Sequence, residues 1–295
     1  MKTATYAPIC LFTYNRLEET KRTIDALKNN FLAVKSELFI FSDGSKSSNS
    51  KEKVNNVRIF LKSVSGFKSV TIKEAESNKG LANSIIDGVT EVLQLYDNVI
   101  VLEDDLITAP NFLDFMNQSL SFYKDNLSVF SISGYTMNLP SLKKANKDYY
   151  YAYRASSWGW GTWKRSWVDI DWDINKNQEI FISKTAQKKL NRGGSDMYRM
   201  LQNQLNKKID SWAIRWCYNQ SKRNQYTVYP TKSKIISIGF GKNATHTKTT
   251  KRFDTDLDKS KSVNFSFSDK IDLNKKLLRE FKFKFSVFKR ILDRI

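Results

Sequence analysis

The stretch Val99-Ile100-Val101-Leu102-Glu103-Asp104-Asp105 sets an uninterrupted apolar run directly before three consecutive carboxylates. A short apolar run without alternation reads as a strand buried on both faces, as in a parallel sheet flanked by helices. Three adjacent carboxylates at the end of such a strand are electrostatically costly unless solvent, basic groups or a metal neutralises them. Hard oxygen ligands there suit Mg2+ or Mn2+, which could in turn hold a diphosphate. The plainer alternative is a solvated loop whose acids sit near the N-terminus of the following helix.

Working outward, the first hundred residues alternate short apolar runs with amphipathic stretches, the pattern of βαβ units. Strands are predicted at Pro8 to Phe12, Glu37 to Ser42, Lys68 to Lys73 and Asp97 to Leu102. Helices are predicted from Leu17 to Lys28, through Val54, Val57 and Leu61, and from Gly80 to Tyr96. In open α/β sheets ligands bind beyond the carboxyl ends of the strands. Here those ends carry Tyr14-Asn15-Arg16, Asp43-Gly44, Asn78-Lys79-Gly80 and the acidic triplet. Further on, a helix is expected over Asn111 to Tyr123 and a strand over Val129 to Ser133, while the aromatic stretch Tyr149 to Trp172 resists assignment. Helices over Thr185 to Asn206 and Ser211 to Lys222 and strands over Tyr226 to Tyr229 and Lys234 to Ile238 complete the reading.

The 295 residues carry 49 Lys and Arg against 30 Asp and Glu, a formal net charge of +19. Residues 1–183 hold 22 basic and 21 acidic side chains, whereas residues 184–252 hold 16 and 2, and the last 21 residues hold 8 and 2. A basic excess points to a polyanionic partner: nucleic acid, phosphate groups or an anionic membrane. Two distant cysteines and an N-terminus without a long apolar segment predict a reducing, cytoplasmic setting with no disulfide scaffold. No apolar run approaches the roughly 18 residues that span a bilayer, so any membrane association is expected to be peripheral.

Asp43-Gly44-Ser45 and Tyr14-Asn15-Arg16 resemble the nucleotide-binding signatures of GT-A fold glycosyltransferases, and VIVLEDDLITAPNFLDFM (Val99 to Met116) resembles the metal-binding segment of the N-acetylglucosaminyltransferase I family and of family-2-like bacterial enzymes. The resemblance continues through YPTKSKIISIGFGKNATH (Tyr229 to His246), which is similar to that family's closing loop. It implies an α/β GT-A (Rossmann-like), mostly parallel mixed sheet flanked by helices, spanning 1–274, with a nucleotide-sugar half over about 1–125 and an acceptor half over about 126–252. It further implies inverting, metal-dependent transfer from a UDP-sugar. Asp105 would then be the protein's ligand to Mn2+ or Mg2+, and Asp104 would meet the ribose or donor sugar. Glu103 would order the site, Asp43 would contact the uridine, and Arg16, with Tyr14 and Asn15, would lie near the nucleotide. Lys79 is either a phosphate contact or a surface lysine at a helix start.

Inversion by single displacement needs a carboxylate to take the acceptor hydroxyl's proton. Asp210-Ser211-Trp212 resembles the family's base-bearing Asp-Asp-Trp element, so Asp210 is the expected base; Asp196 is the other acid available in residues 184–252, and capping of the next helix is Asp210's alternative role. His246, the only histidine, follows a Gly-rich basic loop and is either a metal or phosphate contact or a surface residue. Trp158, Trp160 and Trp212 are candidates for a sugar or acceptor wall, since tryptophans stack on sugar rings; core packing is the alternative, expected for Trp163 and Trp167. The tail over 275–295 sets Leu277, Leu278, Phe281, Phe285, Phe288, Leu292 and Ile295 on one helical face among Lys and Arg. Such a basic amphipathic helix either lies on an anionic membrane, which would suit an oligosaccharide acceptor on a lipid diphosphate, or packs on the body. The competing functions are a nucleic-acid-binding protein, which leaves the acidic triplet facing phosphate, and a GT-A scaffold without activity that serves as a binding module. With the triplet in place, no nucleic-acid partner is expected.

Overall fold

The computed structural model describes residues 6–173, 179–239 and 251–292. Its centre is an eight-stranded sheet in the order β3-β2-β1-β4-β8-β6-β9-β7. The strands are β1 (Ile9–Thr13), β2 (Glu37–Ser42), β3 (Ser69–Glu74), β4 (Asn98–Glu103), β6 (Val129–Ser133), β7 (Tyr149–Ala152), β8 (Trp160–Trp163) and β9 (Tyr226–Pro230). A separate antiparallel pair joins β5 (Leu106–Thr108) to β10 (Ile235–Ser237). Strands β3, β2, β1 and β4 run parallel. β8 is antiparallel to both β4 and β6, and β9 is parallel to β6, so β4, β6 and β9 point the same way. The carboxyl ends of six strands therefore share one edge.

Alternation along β1 divides the core. Ile9 and Leu11 join Ile24 and Leu27 of α1 (Leu17–Lys28), Val57 and Leu61 of α2 (Ser48–Leu61), and Phe112, Phe115 and Met116 of α4 (Phe112–Phe122). Cys10 and Phe12 face Ile85, Val89 and Val92 of α3 (Leu81–Leu95) and a tryptophan-rich layer on the other side. Burying apolar surface on both faces is worth roughly 25 cal/mol per Å2, which anchors β1 and β4 at the centre. β4 is correspondingly buried from Val99 to Leu102.

The second half departs from expectation in three places. Instead of one helix over 185–206 there are α7 (Lys184–Leu190) and α8 (Met197–Leu205), separated at Gly193-Gly194; glycine is among the poorest helix formers. The aromatic stretch contains β7, β8 and the short α5 (Lys164–Trp167), and both strands are buried at every position, which erases any period-two signal. A short α6 (Glu179–Ile182) precedes α7, and α9 (Trp212–Lys222) closes this layer.

The chain then returns across the first layer as an extended strap, seating Phe265 and Phe267 on Phe115. The tail forms α10 (Lys275–Lys284) and α11 (Val287–Leu292) rather than a single helix. Leu277 and Phe281 are buried, with Phe281 against Tyr229 and Glu280 accepting from the Ser141 hydroxyl and N–H. The first turns of the tail thus pack on the body, and Phe283, Phe288 and Leu292 stand exposed.

Candidate active site

At the end of β2, Asp43 is fully engaged. Its Oδ1 accepts the backbone N–H groups of Gly44 (2.8 Å) and Lys79 (2.8 Å). Its Oδ2 accepts the Gly80 N–H (3.0 Å) and the Asn78 side-chain amide (2.9 Å). A carboxylate offers about four lone-pair positions, so Asp43 ties the β2 turn to the loop before α3 and keeps no lone pair for a ligand. In this arrangement the carboxylate is spoken for, and contact with a uridine would need one of these bonds to open. Arg58 reinforces the same corner, donating to the carbonyls of Ser42, Asp43 and Ala75. The Lys79 side chain turns outward to Asp87 (2.8 Å), both groups about half exposed. The surface reading of Lys79 is the one that holds for the side chain; its backbone N–H is what reaches the corner.

At the end of β4 the situation is opposite. Asp104 is buried, with Oδ2 accepting the Tyr14 N–H (3.3 Å) and its carbonyl accepting the Thr23 hydroxyl (2.9 Å). Arg16 forks across the triplet, one nitrogen on Asp104 and Nη1 on Asp105 Oδ2 at 3.0 Å. The turn after β1 positions it: the Arg16 carbonyl accepts the N–H and hydroxyl of Thr20, fixing the backbone at the start of α1. Asn15 is partly buried in the same turn, and the Tyr14 hydroxyl accepts the Lys46 N–H (3.2 Å). Asp105 keeps 17% of its side chain exposed, and among the described residues Arg16 holds its carboxylate alone.

One guanidinium faces three carboxylates, and the imbalance registers in their protonation. Burial, with Asp105 and Asp104 alongside, pushes Glu103 up to about 8. Burial raises Asp104 to about 6 against the opposing pull of Arg16. Arg16 itself is held firmly charged, the two aspartates outweighing its own desolvation. This excess negative charge fits a divalent cation at Asp105. Among the described residues no three His, Cys, Asp or Glu side chains converge as a metal cage.

The opposite wall is β10 and its exit. The Ile238 N–H donates to the Asp105 carbonyl (2.8 Å), and a Cβ on Gly239 would fall 1.9 Å from Asp105 Oδ2. Sequence reasoning noted this glycine only as part of a loop; its contact with Asp105 comes from the pairing of β10 with β5, which no local pattern records. His246 lies outside the described residues.

Asp210 is exposed and pairs with Arg215 (3.2 Å). The cap of α9 is Ser211, whose hydroxyl accepts the Ile214 N–H, so the capping role expected of Asp210 belongs to its neighbour. Trp212 at the start of α9 packs on Trp160, whose backbone pairs with Val101 of β4, while Arg223 at its end reaches the Ser166 carbonyl and lies over Phe130. α9 therefore runs antiparallel to β6, and its N-terminus with Asp210 lies toward the edge of the acidic triplet. Asp196 is buried in an ion pair with Arg154 (2.9 Å).

Trp160 and Trp212 are 1% and 3% exposed and stack with Trp167 and Trp216, so they form core rather than a pocket wall. Trp163 and Trp167 are buried as expected. Trp158 is partly buried, edge-on to Tyr135 and Phe253, and beside Gly159, where a side chain would strike Ile235. It is the one tryptophan of the three near the β10 wall.

A mostly parallel sheet between helical layers, with its polar strand ends and acidic triplet on one edge, is the GT-A architecture of glycosyltransferases. The sequence model of glycosyl transferase family 2 matches residues 9–190, more than half of the chain, and the protein belongs to that family. No curated protein sequence matches it. Similar solved structures include S. aureus TarS (13% identity over 45% of this chain and 22% of that one, TM-score 0.33). A second structure, S. aureus TarS 1-349, matches at 9% identity over 79% and 60%, with a TM-score of 0.43. The mannosyltransferase PcManGT from Pyrobaculum calidifontis, in complex with GDP-Man and Mn2+, matches at 11% over 74% and 70%, with a TM-score of 0.39. The chain spans less than two thirds of either TarS structure. Membership of family 2 bears out the family-2 side of the expected resemblance; kinship with the N-acetylglucosaminyltransferase I family is not among these likenesses. Among the described residues no helix is long and apolar enough to cross a membrane.

Proposed function

We propose that this glycosyltransferase transfers a sugar with inversion from a UDP-sugar to a hydroxyl of a surface-polysaccharide acceptor carried on a lipid diphosphate, working at the inner face of the membrane. The observation that carries the reading is Asp105: a carboxylate just past the end of the central strand β4, partly open, and among the described residues paired with a single guanidinium. Asp105 would hold Mn2+ or Mg2+. When bound, that ion supplies Lewis-acid stabilisation of the charge that develops on the departing diphosphate. Asp104, fixed by Tyr14 and Thr23, would orient the ribose or sugar, and Glu103 would shape the floor beneath it. The Asp43 corner holds the nucleotide-side loops rigid, and Tyr14, Asn15 and Arg16 line the entrance. Asp210 would accept the acceptor's proton; its exposure and its edge of the sheet support that role, and Arg215 is its described partner.

The basic excess favours phosphate and membrane over nucleic acid. Two of its arginines are spent on the fold: Arg215 on the carbonyls of Ser211 and Trp172, and Arg223 on the Ser166 carbonyl and over Phe130. What stays outside on α10 is Lys275, Lys276, Arg279 and Lys282 with Phe283, a surface suited to an anionic bilayer. Release of UDP from a panel of UDP-sugars in Mn2+, with GDP-sugars as comparison, tests the reading. Asp210→Asn should lose turnover while still binding UDP, and retained turnover would move the base elsewhere.

A further inference from the structure

Arg16 sits as a counter-ion between Asp104 and Asp105. It is the only cation bonded to the triplet among the described residues, and it spans Asp104 and Asp105 with its two terminal nitrogens. The two carboxylates are held unequally. Asp104 is buried and has the Tyr14 N–H as a second donor to its carboxylate, whereas among the described residues the Asp105 carboxylate has Arg16 as its one partner and is partly open to solvent. The Arg16 backbone is pinned by Thr20, and its side chain is 21% exposed, with a free edge toward solvent.

We propose that Arg16 is a built-in stand-in cation: it neutralises Asp105 in the empty site, yields Asp105 to a divalent metal while keeping Asp104 as its pivot, and offers the freed nitrogen to the nucleoside diphosphate. This rests on the metal and diphosphate reading above. The physics is a competition. A divalent ion on Asp105 and a guanidinium nitrogen 3.0 Å from the same oxygen repel, so the metal binds weakly until Arg16 finds another anion. The diphosphate is that anion, and a planar fork is well matched to phosphate oxygens. Metal and nucleotide then favour each other's binding through one side chain, a reciprocal coupling. The arrangement also keeps the triplet from standing as an uncompensated charge cluster while the site is empty. Arg16 acts here as a positioning residue.

The test is Mn2+ affinity of the full chain, read by the electron paramagnetic resonance of free Mn2+, with and without UDP, for wild type, Arg16→Met, Arg16→Lys and Asp105→Asn. Without UDP, Arg16→Met should bind Mn2+ on the order of tenfold tighter than wild type, a coupling of the usual size. Arg16→Lys, which keeps the charge but cannot fork, should fall between them. UDP should tighten Mn2+ binding strongly in wild type and only weakly in Arg16→Met. If Arg16→Met is unfolded by circular dichroism, Arg16→Lys decides on the same criterion. Unchanged or weaker Mn2+ affinity in the Arg16 variants without UDP overturns the stand-in role. Wild-type affinity in Asp105→Asn, or no Mn2+ binding by wild type even with UDP, overturns the metal reading itself.

Discussion

Asp43 and Asp105 follow the ends of β2 and β4, the strands on either side of β1, yet the fold surrounds them in opposite ways. Asp43 is buried under four donors, three of them backbone N–H groups. Asp105 is partly open and, among the described residues, answers to one arginine. A carboxylate whose lone pairs are filled by the backbone is part of the scaffold. One left short of partners beside two further acids is a place where a cation gains free energy by binding. On the proposed reading, the same residue type at the same topological position divides into structure and chemistry according to what its neighbours donate.

The contrast breaks most sharply in activity. Asp105→Asn removes the proposed metal ligand and relieves charge crowding, so turnover should fall by about 10²–10³-fold or more while the melting temperature holds or rises. Asp43→Ala should do the reverse in stability. It orphans backbone donors at Gly44, Lys79 and Gly80 and should cost roughly 2–4 kcal/mol by denaturant titration. A fall in turnover without loss of stability would mean that Asp43 contacts substrate after all. Gly239→Ala drives a methyl into the Asp105 carboxylate. It should weaken Mn2+-dependent turnover about tenfold, a typical effect of slight misplacement, with little change in melting.

Protonation sharpens the same comparison. Glu103 holds its proton in the fold to about 8, against an unfolded value of 4.5. The folded state therefore binds more protons over that interval. The stability this group contributes is present at low pH and is lost as pH rises through about 8. In a chelator, melting temperature should decline from pH 5 to 8 more steeply in wild type than in Glu103→Gln; equal slopes would contradict the shift. The smallest effect belongs to Lys79→Gln, which breaks an exposed pair with Asp87 and should change stability by less than about 0.5 kcal/mol.

The first hundred or so residues were legible because their elements alternate cleanly and their polar residues fall where strands end. β1 and β4 lie within a residue or so of their expected bounds, and the triplet sits at the carboxyl edge where a parallel sheet binds ligands. What the residue order does not carry is the partnering that separates Asp43 from Asp105, since Asn78, Lys79 and Gly80 reach Asp43 only once α3 is docked. The second half was harder for a different reason. β7 and β8 are buried on both faces and rich in aromatics, so neither period nor polarity marks them. Tryptophans that suit a sugar wall suit a core equally, and Trp160 and Trp212 found each other there. The tail's expected single apolar face is divided between α10 and α11, with Leu277 and Phe281 buried on the body, Phe288 and Leu292 exposed, and Ile295 outside the described residues.

The most direct measurement is Mn2+-dependent release of UDP from UDP-sugars by wild type, Asp105→Asn and a thermally matched Asp43→Asn, assayed where all three are folded. Release by wild type, its collapse in Asp105→Asn and its persistence in Asp43→Asn are the predicted results. Undiminished release by Asp105→Asn, or none by wild type from any UDP-sugar, would contradict the assignment of Asp105 as the working carboxylate.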